Sequence, residues 1–201
     1  FSLIFSYLTS RRRRNFLKDK TKSHKSDTPI IVVGNLTIGG TGKTPLVKHI
    51  ATELIKRGYK PGIVSRGYGG KFKETLKVDE NTSVKETGDE AQILSKLNIP
   101  FYIDKNRVRA VEKINKNHDC DVIISDDGLQ HYKMKRDIEI AVIDGKRRFG
   151  NKLTFPAGPL RESIKRLDSV DFIVNNSGPT EEDEFLMNIS PSEFVHLKSG
   201  K

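Results

Sequence analysis

"VVGNLTIGGTGKTPLVKHI", residues 32–50, decides the fold. An apolar run halts at Gly34, a glycine-rich turn follows, and Lys43 and Thr44 open a segment with helical spacing. The template for a phosphate loop is G-x-x-x-x-G-K-[ST] between a strand and a helix. Here the octet is Thr37-Ile38-Gly39-Gly40-Thr41-Gly42-Lys43-Thr44, with threonine in place of the first glycine. Backbone N–H groups from Gly40 to Thr44 would converge on β- and γ-phosphate oxygens, where the partial charge of a helix N-terminus adds to the attraction. Lys43 would bridge the phosphates and the Thr44 hydroxyl would ligate Mg²⁺. Pro45 falls early in the helix, where a missing N–H is tolerated. A purely structural glycine turn is the competing explanation, and the strand before and helix after argue against it.

Outward from this stretch the chain alternates. Short β-branched runs occupy 29–34, 61–65, 99–103, 121–125, 138–144 and 170–176. Continuous apolar runs of that length suit strands buried on both faces. Leu46, Val47, Ile50, Ala51, Leu54 and Ile55 form a helical stripe that Gly58 stops. Residues 90–97 and 107–117 read as two shorter helices. The expected class is α/β, P-loop NTPase-like: a mostly parallel sheet with helices on both faces.

The 201 residues suit one domain, and 35% hydrophobic with 31% charged residues reads as globular. A single cysteine, Cys120, excludes an internal disulfide framework. The net charge of +10 is uneven: residues 1–27 hold eight Lys/Arg against two Asp/Glu. That arm runs from nine mostly apolar residues into Arg11–Arg14. Nine residues at about 1.5 Å each cannot cross a hydrocarbon core of about 30 Å, and charges that follow the apolar part do not make a secretory signal. The arm suits an anionic membrane interface; affinity for nucleic acid and a solvated basic tail are the alternatives. The expected divisions are this arm (1–27), a P-loop core (28–180) and a further C-terminal region (181–201).

A P-loop needs a carboxylate beyond a neighbouring strand. "DVIISDDGLQHY" supplies Asp126 and Asp127 at the carboxyl edge, where α/β sheets bind ligands; one would hold Mg²⁺ and the other would face nucleotide or acceptor. An Asp-Gly turn needs no such chemistry. His131 is either a supporting group or a surface histidine. In "SRGYGG" Arg66 could meet an anionic group in two-pronged fashion. In "ETGDEAQIL" Thr87 and Glu90 have the spacing of a capping box, while Asp89 and Glu90 would also stand where an acceptor-activating carboxylate is needed. "NKNH" (115–118) superficially matches a guanine-reading motif, but His118 replaces the carboxylate.

Six motifs in order, "VVGNLTIGGTGKTP", "VSRGYGG", "GDEAQIL", "SDDGLQHY", "VIDGKRRFGN" and "PAGPLRES", make residues 29–176 resemble tetraacyldisaccharide 4'-kinase, the lipid A 4'-kinase of Gram-negative bacteria. The resemblance implies an ATP- and Mg²⁺-dependent enzyme, peripheral at the cytoplasmic face of the inner membrane. It would phosphorylate the 4'-hydroxyl of a tetraacylated disaccharide 1-phosphate, with no nucleic-acid partner. It further implies that Thr37–Thr44 bind ATP, that Lys43 and Asp89 are catalytic with Asp89 as base, and that Thr44, Glu90, Asp126 and Asp127 serve the metal. Arg66, Arg161, Arg147 and Arg148 would lie near the acceptor or its phosphate. Against the family pattern the chain is expected to be shortened at both ends, with the second lobe largely absent. That lobe carries a histidine that pairs with the base, and His196 lacks the surrounding pattern. A nucleotide-binding module without transfer activity is the alternative reading.

Overall fold

The computed structural model describes residues 1–190; His196 lies outside them. The strands are β1 (Ile30–Gly34), β2 (Pro61–Ser65), β3 (Leu76–Lys77), β4 (Phe101–Ile103), β5 (Val122–Asp126), β6 (Ile138–Asp144), β7 (Phe172–Asn176) and β8 (Glu184–Met187). The helices are α1 (Ser2–Lys18), α2 (Lys43–Lys56), α3 (Val84–Thr87), α4 (Asp89–Ser95) and α5 (Arg107–Asn117). Among the described residues the strands form one sheet in the order β3-β4-β2-β5-β1-β6-β7-β8. Only the β3–β4 pair is antiparallel.

The alternation of each strand distributes its residues between two cores. Val33, Ile63, Ile103, Ile124 and Val142 point to the face covered by Leu46, Val47 and Ala51 of α2 and Ala91 and Leu94 of α4. Val32, Val64, Tyr102, Ile123 and Ala141 point to the other, covered by Ala110, Val111 and Ile114 of α5. Each fully buried aliphatic side chain contributes about 1.5–3 kcal/mol, so β1, buried on both faces, is held from both sides. From β1 the chain crosses first toward β2 and later toward β6, and ligands bind outside the carboxyl ends of strands at such a reversal. Register puts Val33 beside Asp126 of β5 and Ile140 of β6. The glycine loop and the acidic pair therefore emerge side by side.

Three features depart from the expectations. The residues 184–187, assigned to a separate C-terminal region, form β8, parallel to β7 in the same sheet. The stretch before residue 28 is tied to the body: His24 N–H donates to the Lys133 carbonyl (2.7 Å) and the Ser23 hydroxyl to the Tyr132 carbonyl (2.7 Å). The capping box does not form. Gly88, at φ +82°, separates α3 from α4, and the Thr87 hydroxyl donates to the carbonyls of Ser83 and Gly88. Ser83 is the residue that caps, accepting from the Lys85 N–H.

The basic arm is a 17-residue helix laid along the body. Residues 2, 5, 6, 9, 13 and 16 are half-buried, a stripe at helical spacing. Ser2 bonds Thr154, Phe5 meets Phe155 edge-on, and Phe16 stacks on Tyr132. The opposite side leaves Phe1, Leu3, Ile4, Tyr7 and Leu8 exposed. No helix among the described residues is long and apolar enough to cross a membrane.

Candidate active site

The loop from Asn35 to Gly42 turns sharply at Gly39 (φ +108°) and Gly42 (φ +92°), a conformation that glycine adopts without steric cost. Its carbonyls are tied from outside. The Asn35 amide donates to the Gly39 carbonyl (3.3 Å) and the Thr41 hydroxyl (3.2 Å). The Arg147 guanidinium donates to the Gly40 carbonyl (2.6 Å), and the Asn176 amide to the Thr41 carbonyl (3.2 Å). With carbonyls held outward, the N–H groups at the start of α2 are left for an anion. Next to the loop, Ile38 N–H donates to the Pro159 carbonyl and Arg161 N–H to the Leu36 carbonyl, which lays "PAGPLRES" along its first arm.

Lys43 and Thr44 are buried at the head of α2. Lys43 Nζ lies 3.6 Å from Asp127 Oδ1, and Arg161 Nη1 donates to both oxygens of Asp127 at 2.9 and 3.0 Å. Burial would raise the Asp127 pKa, but the charges of Lys43 and Arg161 outweigh it and hold that carboxyl below its ordinary value. Asp126 differs. It is 1% exposed, and neither of its side-chain oxygens has a partner among the described residues. Burial first, then the negative charges of Glu90 and Asp127, push it up to about 7. Two adjacent aspartates are thus shifted in opposite directions. Beneath them, fully buried Arg107 donates from Nη2 to the backbone carbonyls of Asp126 (3.1 Å) and Asp127 (2.6 Å). Its own pKa is drawn down to about 10 by burial, with the aspartates opposing.

Asp89 and Glu90 occupy the exposed first turn of α4, close enough for Glu90 to act on Asp126. Their position rests on interlocked glycines. A Cβ on Gly88 would run into the Tyr68 carbonyl, and one on Gly70 into the Glu86 carbonyl. The "SRGYGG" loop and the "GDEAQIL" segment touch backbone to backbone there. Gly88→Ala combines that clash with a positive φ and is expected to cost about 2 kcal/mol or more. Calorimetry would read a melting point lowered by about 4–8 °C. Gly40→Ala, whose new methyl meets nothing within 4 Å, should leave it unchanged.

Arg66 is exposed at the end of β2, near enough for its charge to lower the Arg107 pKa. Arg148 is bound to Glu181 (2.5 Å) and Glu184 (2.8 Å), away from the loop. His131 is kept neutral, its pKa drawn down to about 3 by burial and then by Arg107 and Arg136. "NKNH" ends α5 at the opposite edge of the sheet, where His118 Nε2 meets the Tyr102 hydroxyl (3.1 Å). Sequence reasoning missed Asn35, Asn176 and Arg107. Arg107 did leave a signal, since it shares the buried stripe of α5 with Ala110, Val111 and Ile114.

No group of three or more His, Cys, Asp or Glu among the described residues is placed to hold a metal unaided. A P-loop magnesium asks for less, because phosphate oxygens and water complete its shell. The unpartnered oxygens of Asp126, beside the head of α2, fit that partial role.

The family model described as Tetraacyldisaccharide-1-P 4'-kinase matches residues 1–200. The tetraacyldisaccharide 4'-kinase of Shewanella denitrificans is 43% identical over 199 residues, covering 98% of this chain and 60% of that one. The enzyme of that name from Pseudoalteromonas atlantica is 46% identical over 200 residues, covering 98% and 66%. A crystal structure of LpxK from Aquifex aeolicus in complex with ATP superposes with a TM-score of 0.79 at 34% identity, covering 87% of this chain and 56% of that one. The chain thus spans about 60% of the length of the curated relatives it matches. With the loop, the acidic pair and the glycine interlock all falling on matched residues, the chain belongs to the Tetraacyldisaccharide-1-P 4'-kinase family.

Proposed function

We infer that this chain supplies the nucleotide-binding half of an ATP-dependent lipid kinase, which moves the γ-phosphate of ATP to the 4'-hydroxyl of a tetraacyldisaccharide 1-phosphate. The observation that carries this reading is the loop with its carbonyls tied outward beside Lys43 and two unlike aspartates. The amides from Gly40 to Thr44 cradle the β- and γ-phosphates, and Lys43, with Asp127 3.6 Å from its ammonium, bridges them. Thr44 and Asp126, with Glu90 at the open side, would hold Mg²⁺, whose chemistry there would be to offset charge on the phosphate oxygens. Asp127, kept ionised by Arg161, stays as the counter-charge that orients Lys43. Arg161 and Arg66 border the space an anionic acceptor would enter. Asp89, at the start of α4 and exposed to solvent, accepts the proton of the acceptor hydroxyl.

The same reading gives the exposed apolar side of α1 a place in the interface of an anionic membrane, at the cytoplasmic face where the acylated acceptor is presented. Incubation with labelled ATP, Mg²⁺ and the disaccharide monophosphate in detergent tests the assignment through the bisphosphorylated product. In Asp89→Asn the rate should fall about 10²–10⁴-fold while ATP affinity holds. A chain that binds ATP and yields no product at any enzyme concentration would leave a nucleotide-binding module in place of a kinase.

A further inference from the structure

A cavity of about 300 Å³ opens between the last turns of α1 and the start of β6, and the kinase reading makes no use of it. Arg13, Lys135, Arg136 and Arg166 line it, against Glu139 as the single lining carboxylate among the described residues. Glu139 is already engaged by Arg136 (2.8 Å) and Arg166 (2.5 Å). Four cations around one acid leave an excess of positive charge at the cavity. Two donors there are also unspent: Nε of Arg13 and Nε of Arg166 are buried with no hydrogen-bond partner among the described residues, and Arg166 is 3% exposed. A charged donor left unpaired in such a place is costly unless an acceptor arrives. Apolar Phe16, Met134 and Leu17, the last 58% exposed on α1, share the rest of the lining with Ser23, Tyr132 and Ser169, and Ser169 accepts from both Arg13 and Arg166. This is not the nucleotide site. Glu139 is the second residue of β6 and Asp144 its last, next to the phosphate loop, a separation of about 17 Å at roughly 3.3 Å per residue.

We propose that this cavity binds the phosphate headgroup of an anionic membrane phospholipid. The guanidinium groups of Arg13 and Arg166 donate to the phosphate, and Lys135 faces it from the rim. The volume accommodates a glycerophosphate headgroup, and its acyl chains leave past Leu17 toward the surface on which α1 exposes Leu3, Ile4, Tyr7 and Leu8. A free anion would use the charges and ignore the apolar lining; a neutral lipid would do the reverse. The site needs neither ATP nor phosphoryl transfer, so its test is independent of the kinase reading.

The experiment titrates the full chain, without nucleotide, with dihexanoylphosphatidylglycerol below its micellar concentration, followed by calorimetry. Saturable binding of one lipid per chain is expected. The double variant Arg13→Gln/Lys135→Gln should weaken it about 30-fold, the effect of two cations facing one phosphate. Arg11→Gln/Arg14→Gln removes the same charge from exposed positions outside the cavity and should change affinity less than about threefold. Thermal melts confirm that both variants fold. Equal losses in the two double variants would reduce the effect to diffuse attraction and overturn the proposal. So would inorganic phosphate or dihexanoylphosphatidylcholine binding as tightly as the anionic lipid, or no saturable binding at all.

Discussion

Lys43→Ala is expected to lower affinity for MgATP about 100-fold or more and to abolish measurable transfer. Removing one charged donor from a preorganised phosphate site costs about 10²–10³, and here the loss is compounded. Lys43 is buried at the head of α2 and 3.6 Å from Asp127, so its removal leaves a carboxylate facing incoming phosphates with less to offset it. The fold should not suffer equally, because Arg161 still donates to both Asp127 oxygens. Calorimetry with MgATP and a thermal melt on the same sample separate the two effects. An affinity within about threefold of the parent would mean the phosphates lie elsewhere.

The same residues show what a sequence discloses and what it conceals. β1, β2 and β5 were legible because burial on both faces demands an unbroken apolar run, and Ile30–Gly34 has no alternative use. β3 spans two residues, Leu76 and Lys77, and β8 reads Glu-Phe-Leu-Met with Phe185 and Leu186 exposed. Neither carries a period long enough to register; both exist because a neighbouring strand offers them an edge. The acidic pair was visible as letters, but its division into a paired Asp127 and an unpartnered Asp126 was not. That difference comes from Arg161, distant in the chain, reaching one carboxylate only. Thr87 and Glu90 had the correct spacing for a cap, yet the backbone of Tyr68 lies against Gly88 and forces the chain out of the helical path. Local spacing lost to a long-range backbone contact. The family resemblance put Arg147 near the acceptor or its phosphate without assigning it a role, and the contact that letters could not disclose is the one it makes from the turn after β6, to the Gly40 carbonyl.

Glu139→Gln is expected to destabilise the fold strongly. Glu139 accepts from Arg136 and from Arg166, and the Arg166 side chain is nearly inaccessible to water. Taking the charge away from such a cluster leaves two guanidinium groups facing each other with neutral oxygen between them, a loss of about 3–5 kcal/mol. For a chain of this size that lowers the melting point by about 6–20 °C. The sign of the pH dependence follows from the carboxyl. Burial would raise its pKa, but the bonds and charges of Arg166 and Arg136 outweigh burial and hold it below the ordinary 4.5. A depressed folded-state pKa contributes stability that is complete above the unfolded value and is lost as pH falls through the folded one. The gap in unfolding free energy between parent and Glu139→Gln, read by urea titration, should therefore be full at pH 7 and narrow progressively below about 4.5. Other carboxylates titrate alike in both proteins and cancel in the difference. A gap that stays constant down to the acid limit would show that Glu139 contributes through shape and hydrogen bonding, with its charge playing no part.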